Sequence, residues 1–500
     1  MKPVYLTFFF AVSIVLAGCD STLRHARQVA DASGNPEMRQ VIDHYRDDTA
    51  KLSAAVFLIE NIPGHQTQTY DLIDKQGQIS EVSLYRPEIT SANYRRFLDS
   101  LGLRVRPRTV ADAAAVTAEY LIRNIDQAFY SWQHNPWSKN YSEKIFREFI
   151  LPYRIADEEL SDWRTFFIER YTPMLDTLSQ PKTIANVAAL VIADIREWYR
   201  YDDGVLQLKP MPTPEEAYRH RKSECYSMAN MFVLGLRAMG IAAVSDVIPV
   251  WGTSRGGHAE AVYFDEYDNP VMLMTGNNLG AQPVKVYREH FSFQHENTSF
   301  REDVTDRYVL TSDIRIPVDT ALFDADEWPQ IGLATYGSRD WRPAVKADRI
   351  TTIRNETTGR TETVCEFRNI GRSILYLPMV LRNHRAQPVG EPFMLDYKGN
   401  ITYIRPDTAN RTTLYLTTLI NDLAAFTPDV YELLYWDGEG WHKHPNRIVT
   451  DPERASQPAY IVRDGRPEHF SGSTILQRGA ITATVPSSAS AGGYNGTDAA

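Results

Sequence analysis

Two side chains of this sequence are of the right type to exchange a proton and attack a carbonyl. Cys225 stands in Ser223-Glu224-Cys225-Tyr226-Ser227-Met228-Ala229-Asn230, where an apolar helical run begins. His258 follows downstream in Gly256-Gly257-His258-Ala259-Glu260, at the head of a strand-like alternation. A thiol with a pKa of about 8.5 is only a few per cent ionised near neutrality. A helix N-terminus stabilises the thiolate through its unpaired N–H groups and its dipole, and a nearby imidazolium adds to that. The pattern points to a thiolate–imidazolium pair for acyl transfer, with Ser223 as N-cap and Cys225 in the first turn.

A catalytic imidazole needs a third group to hold its ring and select its tautomer. If the turn 266–269 pairs Asp265 with Pro270, Asn277 falls opposite His258; a slip of two residues puts Thr275 there instead. Trp198 and Glu260 are candidate walls of the cleft.

These groups require a helix and a set of strands to hold them. Thr183–Tyr199 repeats apolar residues at three and four, as a helix does. Thr213-Pro214-Glu215-Glu216 reads as an N-cap, a proline at the first helical position and acids in the first turn. Glu224–Met239 is the helix that bears Cys225, and Gly240 stops it. Strand signals follow at Ala242–Val250, His258–Phe264 and Val271–Thr275. Upstream, helical patterns cover Glu37–Ile62, Asn93–Leu101 and Ala111–Tyr130, with Trp132 and Trp137 in the loop that follows. Arg104, Arg106 and Arg108 alternate along one solvated strand or loop face. From Val304 the character turns to β, with runs at Arg307–Leu310, Gly332–Tyr336, Arg349–Arg354, Thr361–Phe367, Ser373–Val380, Thr402–Ile404 and Thr412–Thr418.

A cysteine on a helix, a histidine on a strand and a polar residue on the next strand, in that order, resemble the transglutaminase-like branch of the papain-like superfamily. Pro214-Glu215-Glu216-Ala217, Leu236-Arg237-Ala238-Met239-Gly240-Ile241 and Gly257-His258-Ala259 carry the resemblance. More loosely, Tyr45–Thr49, Phe57–His65, Trp341-Arg342-Pro343 and Ile374–Pro378 are similar to segments of transglutaminase-domain lipoproteins of Bacteroidetes. The sequence departs from that pattern at three places. Ser223 stands where the family often has Gly, Glu260 where an aromatic follows His-Ala, and Asn277 where an Asp is usual. The resemblance implies a papain-like core that hydrolyses amide bonds in a peptide, protein or glycopeptide substrate, with transamidation as a variant. A catalytically degraded envelope protein that binds peptides or glycans is the alternative. No Asp-rich loop has EF-hand spacing, so calcium is not implied. His442-Lys443-His444 has no further Cys or His to complete a metal site, and no cofactor or metal is expected.

The N-terminus is separate. Lys2 precedes an apolar stretch, Val4–Leu16, too short to span a bilayer but of signal-peptide length. It ends in Leu16-Ala17-Gly18-Cys19, which resembles the lipobox of bacterial lipoproteins. That resemblance implies lipidation of Cys19 and a cell-envelope location, anchored to a bacterial membrane. With Cys19 lipidated, Cys225 and Cys365 remain. Cys365 lies in the strand-like Thr363–Phe367 and reads as a buried hydrophobe, leaving Cys225 a free thiol.

The 500 residues carry a net charge of −10, which argues against a nucleic-acid surface, and 43% hydrophobic residues suit a globular chain of several domains. The expected organisation is α+β: a signal peptide at 1–18, a polar tether at 19–40, a mostly helical region at 41–175, a transglutaminase-like core at 176–303, β-sandwich module(s) at 304–483 and a disordered tail at 484–500. If Cys19 takes lipid, cells fed labelled palmitate will label the wild type and not Cys19→Ser, which will leave the membrane fraction. Equal labelling of both would refute the anchor.

Overall fold

The computed structural model describes residues 22–404 apart from 203, 207–209, 255, 274–280, 295–298, 320–329, 337–340, 355–360 and 383–384, together with strands at 430–436, 441–449, 462–463, 466–467, 474–477 and 481–483. Residues 1–18 and Cys19 therefore lie outside it, as does the expected strand Thr412–Thr418. Contacts group the chain into two units. The first joins 1–247, 258–277 and 287–302; the second joins 248–257, 278–286 and 303–500.

Helices dominate the first part of the first unit. In order come α1 (22–32), α2 (Met38–His44), α3 (Thr49–Asn61), β1 (Gln66–Ile73), β2 (Ile79–Ser80), α4 (Tyr94–Leu101), β3 (Arg104–Ala111), α5 (Asp112–Ala115), α6 (Ala118–His134), α7 (Glu143–Phe149), α8 (Trp163–Asp176), α9 (Ile184–Trp198), β4 (Arg200–Tyr201), α10 (Pro214–His220), β5 (Lys222–Ser223) and α11 (Cys225–Ala238). Five strands follow: β6 (Ala243–Ile248), β7 (His258–Phe264), β8 (Pro270–Leu273), β9 (Tyr287–Gln294) and β10 (Ser299–Asp303), in the order β10-β9-β6-β7-β8.

Several boundaries differ from those the pattern predicts, each for a local reason. The polar composition of 19–40 suggests a tether, yet α1 buries Ala26 and Ala30 in the main core. Glu37–Ile62 is two helices because Asp48 accepts from the Lys51 amide at 3.1 Å and starts α3 afresh. Thr117 does the same for α6, accepting from Tyr120 N at 3.2 Å. Helix α6 then continues to His134, so Trp132 is helical. The arginine alternation is β3, paired along its length with β1, with Arg106 and Arg108 both against Asp71.

The residues that hold the helices together are buried cations. Arg164 on α8 is 2% exposed and has no carboxylate partner among the described residues. It donates to Asn124 Oδ1 on α6 at 2.7 Å, to Arg237 O on α11 at 3.2 Å, to Leu151 O and Pro152 O at 3.2 Å each, and to Ile150 O. Arg237, equally buried, donates to Ala243 O at 2.9 Å and Arg154 O at 3.2 Å. Burial pushes both guanidinium pKa values down, that of Arg237 to about 10.

The far end of α11 is closed by side chains. Ser131 donates to Ala238 O at 2.8 Å, while Asn135 and Trp137 donate to Met239 O at 3.0 and 2.9 Å. Gly240 adopts φ +72° there, and a Cβ would lie 2.6 Å from Ser131 O. In the sheet, Arg288 on β9 grips Asp246 on β6 with two bonds of 2.9 and 2.8 Å, both side chains buried.

The second unit is built of antiparallel sheets. Its strands are β11 (Thr311–Val318), β12 (Ile331–Tyr336), β13 (Trp341–Lys346), β14 (Arg349–Arg354), β15 (Thr361–Gly371), β16 (Ile374–Arg382), β17 (Arg385–Pro388), β18 (Phe393–Leu395) and β19 (Ile401–Tyr403). Sheets β11-β15-β14 and β13-β12-β16-β18-β19 share one core, to which Ile316, Phe367, Leu333, Tyr376 and Phe393 contribute. Arg307–Leu310 is not a strand: a 3-10 turn occupies Thr305–Arg307 and β11 begins at Thr311. Cys365 is fully buried in this core, which pushes its thiol up to about 12. A further sheet takes β20 (Val430–Trp436) and β21 (Trp441–Val449), the strand on which His442 and His444 fall. Among the described residues no helix is long and apolar enough to cross a membrane.

Replacing Arg164 by Leu takes a donor from the carbonyls of Ile150, Leu151, Pro152 and Arg237 in one step, leaving Leu151 O with Asn124 and Arg237 O with Gly240 N. The expected loss is at least about 3 kcal/mol of unfolding free energy, read from urea denaturation. A loss below about 1 kcal/mol would mean that the guanidinium is not the tie described.

Candidate active site

Cys225 is brought to its place by three consecutive devices. Helix α10 opens with a capping box: Thr213 Oγ1 accepts from Glu216 N at 3.3 Å and Glu216 Oε2 accepts from Thr213 N at 2.9 Å. It ends on Arg221 in the left-handed region, φ 66°, with the guanidinium 3.8 Å above the Tyr218 ring. The chain then runs parallel to β4, pairing Arg200 with Lys222 and Tyr201 with Ser223, and turns into α11.

The N-cap of α11 is Glu224 and not the expected Ser223. Its carboxylate accepts from Tyr226 N at 2.8 Å and Ser227 N at 2.6 Å, and from the Ser227 hydroxyl at 2.5 Å. Ser223 has only its short side chain one position too early, where it is the last residue of β5. Cys225 is thus the first helical residue, half-buried. Helix α11 packs against β7, which His258 opens. The Cys225 sulfur accepts a bond from the backbone N–H of Ala259, the residue after His258. The structure therefore brings Cys225 to the end of the strand that carries His258. Gly257, just before His258, admits no side chain: a Cβ there would stand 2.5 Å from Ile248 O and 2.6 Å from Pro249 O.

The electrostatics differ from the expected ion pair. Burial pushes the Cys225 thiol above its ordinary value, and the Glu224 carboxylate, whose Oε2 is 3.7 Å from Sγ, pushes it further; the Ala259 N–H opposes both. Burial also lowers the pKa of the half-buried His258. At neutral pH the pair is a thiol and a neutral imidazole. The helix N-terminus does favour an anion, but the anion already seated on its second and third amides is Glu224.

The third position falls among undescribed residues, since both Asn277 and Thr275 lie within 274–280. The register leading toward it is off by one from the expected pairing. Phe264 pairs with Pro270 and Ala261 with Leu273, so Asp265 belongs to the turn. Asp265 accepts from the Tyr267 and Asn269 amides at 2.9 Å each, and Asp268 takes φ 62°. That is a type I turn followed by a left-handed residue, which lengthens the loop to five residues. A one-residue change exchanges the faces of a strand, so the expected facing of Asn277 with His258 does not follow from this hairpin.

Neither candidate wall lines the described cavity beside the cysteine. Trp198 is 5% exposed, donates from Nε1 to Asp194 Oδ2 at 3.0 Å and packs edge-on to Tyr218 at 5.2 Å. Glu260 is 3% exposed, buried within β7. Instead a cavity of about 250 Å³ lies against the Ser223–Ser227 segment, walled by Tyr85, Tyr199, Val205, Met211 and Tyr226. Tyr199 follows Trp198 directly, so the aromatic signal was one residue away. Tyr226 donates to both Glu289 oxygens at 2.7 Å, and Arg301 donates to the same carboxylate at 3.1 Å. Glu289 and Arg301 sit on β9 and β10, strands that the sequence pattern does not announce. Among the described residues no group of His, Cys, Asp and Glu could hold a metal ion. No protein-family model matches the chain, and no curated protein matches it.

With the thiol raised, its alkylation by iodoacetamide will climb with pH through a midpoint above that of an ordinary cysteine. Glu224→Gln keeps an amide acceptor for the cap and removes the charge, so its midpoint will fall. A wild-type midpoint at or below the ordinary value would overturn this electrostatic account.

Proposed function

We propose that the protein is a lipid-anchored cysteine acyl-transfer enzyme of the cell envelope, with a transglutaminase-like core, cleaving amide bonds in peptides. The observation that carries the reading is the meeting of the first residue of α11, Cys225, with the head of β7, where Ala259 N–H reaches the sulfur next to His258. The C-terminal sheets, sharing one core, support a β-sandwich module in the second unit.

The chemistry follows from neutral partners. As Sγ adds to the substrate carbonyl carbon, the His258 ring takes the thiol proton, so no thiolate need exist beforehand. A depressed imidazole pKa keeps the ring available as a base below the ordinary histidine range. The cap occupies the amides of Tyr226 and Ser227, while that of Cys225, at the first helical position, has no intrahelical acceptor. It is the donor placed for the developing oxyanion. His258 then returns the proton to the leaving amine, and water attacks the thioester to release the acid. An amine in place of water gives transamidation. Asn277 or Thr275 would orient the ring.

A second reading is favoured by one specific observation. The thiol is held protonated by burial and by Glu224, as a peptide-binding descendant with lost chemistry would tolerate. A library of fluorogenic peptide amides separates the two. The catalytic reading expects turnover that falls at least about 100-fold in both Cys225→Ala and His258→Ala. It also expects an acid limb of kcat/KM below the ordinary histidine pKa. Equal binding of peptides by wild type and Cys225→Ala, with no turnover by either, would establish the binder.

A further inference from the structure

A hydroxyl with nothing to bond is buried in the wall of the cavity against the Ser223–Ser227 segment. Ser223 is 1% exposed, lines the cavity, and its Oγ has no hydrogen-bond partner among the described residues. A buried hydroxyl without a partner carries a desolvation cost that a ligand group can recover. Beside it on the wall is His220, 5% exposed. Its Nδ1 lies 2.9 Å from Lys222 O, so Nδ1 carries the proton and Nε2 is an acceptor. The remaining walls are the rings of Tyr85, Tyr199 and Tyr226 and the apolar groups of Val205, Leu206, Met211 and Pro212.

The charges on this wall are already engaged. Lys222 Nζ is 2.8 Å from Asp202, and Glu224 is held by the first turn of α11. An incoming anion would meet the Glu224 carboxylate and find no unengaged cation among the described lining residues. The space of about 250 Å³ exceeds the roughly 150 Å³ that accommodates a benzene ring. The site is therefore shaped and polarised for a neutral aromatic ring with a hydrogen-bond donor at its tip.

We propose that this cavity is a specificity pocket for a tyrosine-like side chain, whose phenol bonds to Ser223 Oγ and His220 Nε2. Its wall includes Glu224 and Tyr226, the residues on either side of Cys225 in the chain, which gives it a use in the acyl-transfer reading, on which the word specificity rests. As a binding site it stands independently of turnover.

The test uses Cys225→Ala protein, in which no chemistry occurs, and calorimetric titration with three small probes of one shape. p-Cresol has a neutral donor, 4-methylanisole lacks the donor, and p-toluate is an anion. p-Cresol is expected to bind about three- to tenfold more tightly than 4-methylanisole, the worth of one neutral hydrogen bond, with p-toluate weakest. Adding Ser223→Ala should erase that preference, keep the affinity for 4-methylanisole, and leave Tm unchanged or raised, since the hydroxyl has no protein partner to lose. Equal affinities, p-toluate as the tightest probe, or a preference that survives both Ser223→Ala and His220→Phe would overturn the pocket. With Cys225 restored, peptide amides bearing Tyr should exceed their Phe counterparts in kcat/KM by the same factor. A cresol preference without any amidase activity upholds the pocket and removes the catalytic reading; amidase activity without a cresol preference does the reverse.

Discussion

A positive charge buried among neutral carbonyls is the constraint on which the helical unit depends. Arg164 ties α6, α8, α11 and the turn at 150–152 through acceptors that carry no charge. Such an arrangement is costly to desolvate and, among the described residues, has only the face of the Trp163 ring, 4.2 Å away, and no carboxylate to offset it, so much of its benefit comes from satisfying backbone groups that helices cannot. Because one of those groups is the carbonyl of Arg237 on α11, the same guanidinium sets where the Cys225 helix lies. Ser131, Asn135 and Trp137 hold the same C-terminal end of that helix. The position of the sulfur is a consequence of ties made far from it in sequence.

Glu224 shows how one group serves two demands that conflict. As an N-cap it satisfies two backbone amides and favours the helix. As a charge next to the sulfur it works against the thiolate. The dipole of α11 is real, but a dipole end already occupied by a side chain is largely unavailable to another anion. Any chemistry here has to move the proton during attack, which makes the nearness of the imidazole matter more than the field of the helix.

Local rules are legible in the sequence, and long-range ones are not. Thr213-Pro214-Glu215-Glu216 is a capping box, β7 runs over the expected His258–Phe264, and Gly240 takes the left-handed turn after α11. Each depends on neighbours within a few residues. The sequence pattern and the structure part where two nearby groups can fill one role or where the deciding partner is distant in sequence. Ser223 and Glu224 are both able to cap, and only the end of β5 decides between them. The hairpin register turned on whether Asp265 joins the strand or closes the turn. Strands β9 and β10 carry charged residues, Arg288, Glu289 and Arg301, that break any alternation, because each charge has a buried or half-buried partner elsewhere. The cavity was illegible for the same reason: Tyr85, Tyr199 and Tyr226 come from three separate segments.

The raised thiol also bears on durability. Peroxides attack thiolates far faster than thiols, and a cysteine kept protonated and half-buried resists the step to sulfenic acid from which irreversible oxidation proceeds. An envelope protein, as proposed, works where no glutathione pool repairs such damage. Cys365 is sealed in a β core and is inert on similar grounds. The carboxylate that disfavours the Cys225 thiolate therefore also disfavours its oxidation, exchanging nucleophilicity for chemical durability.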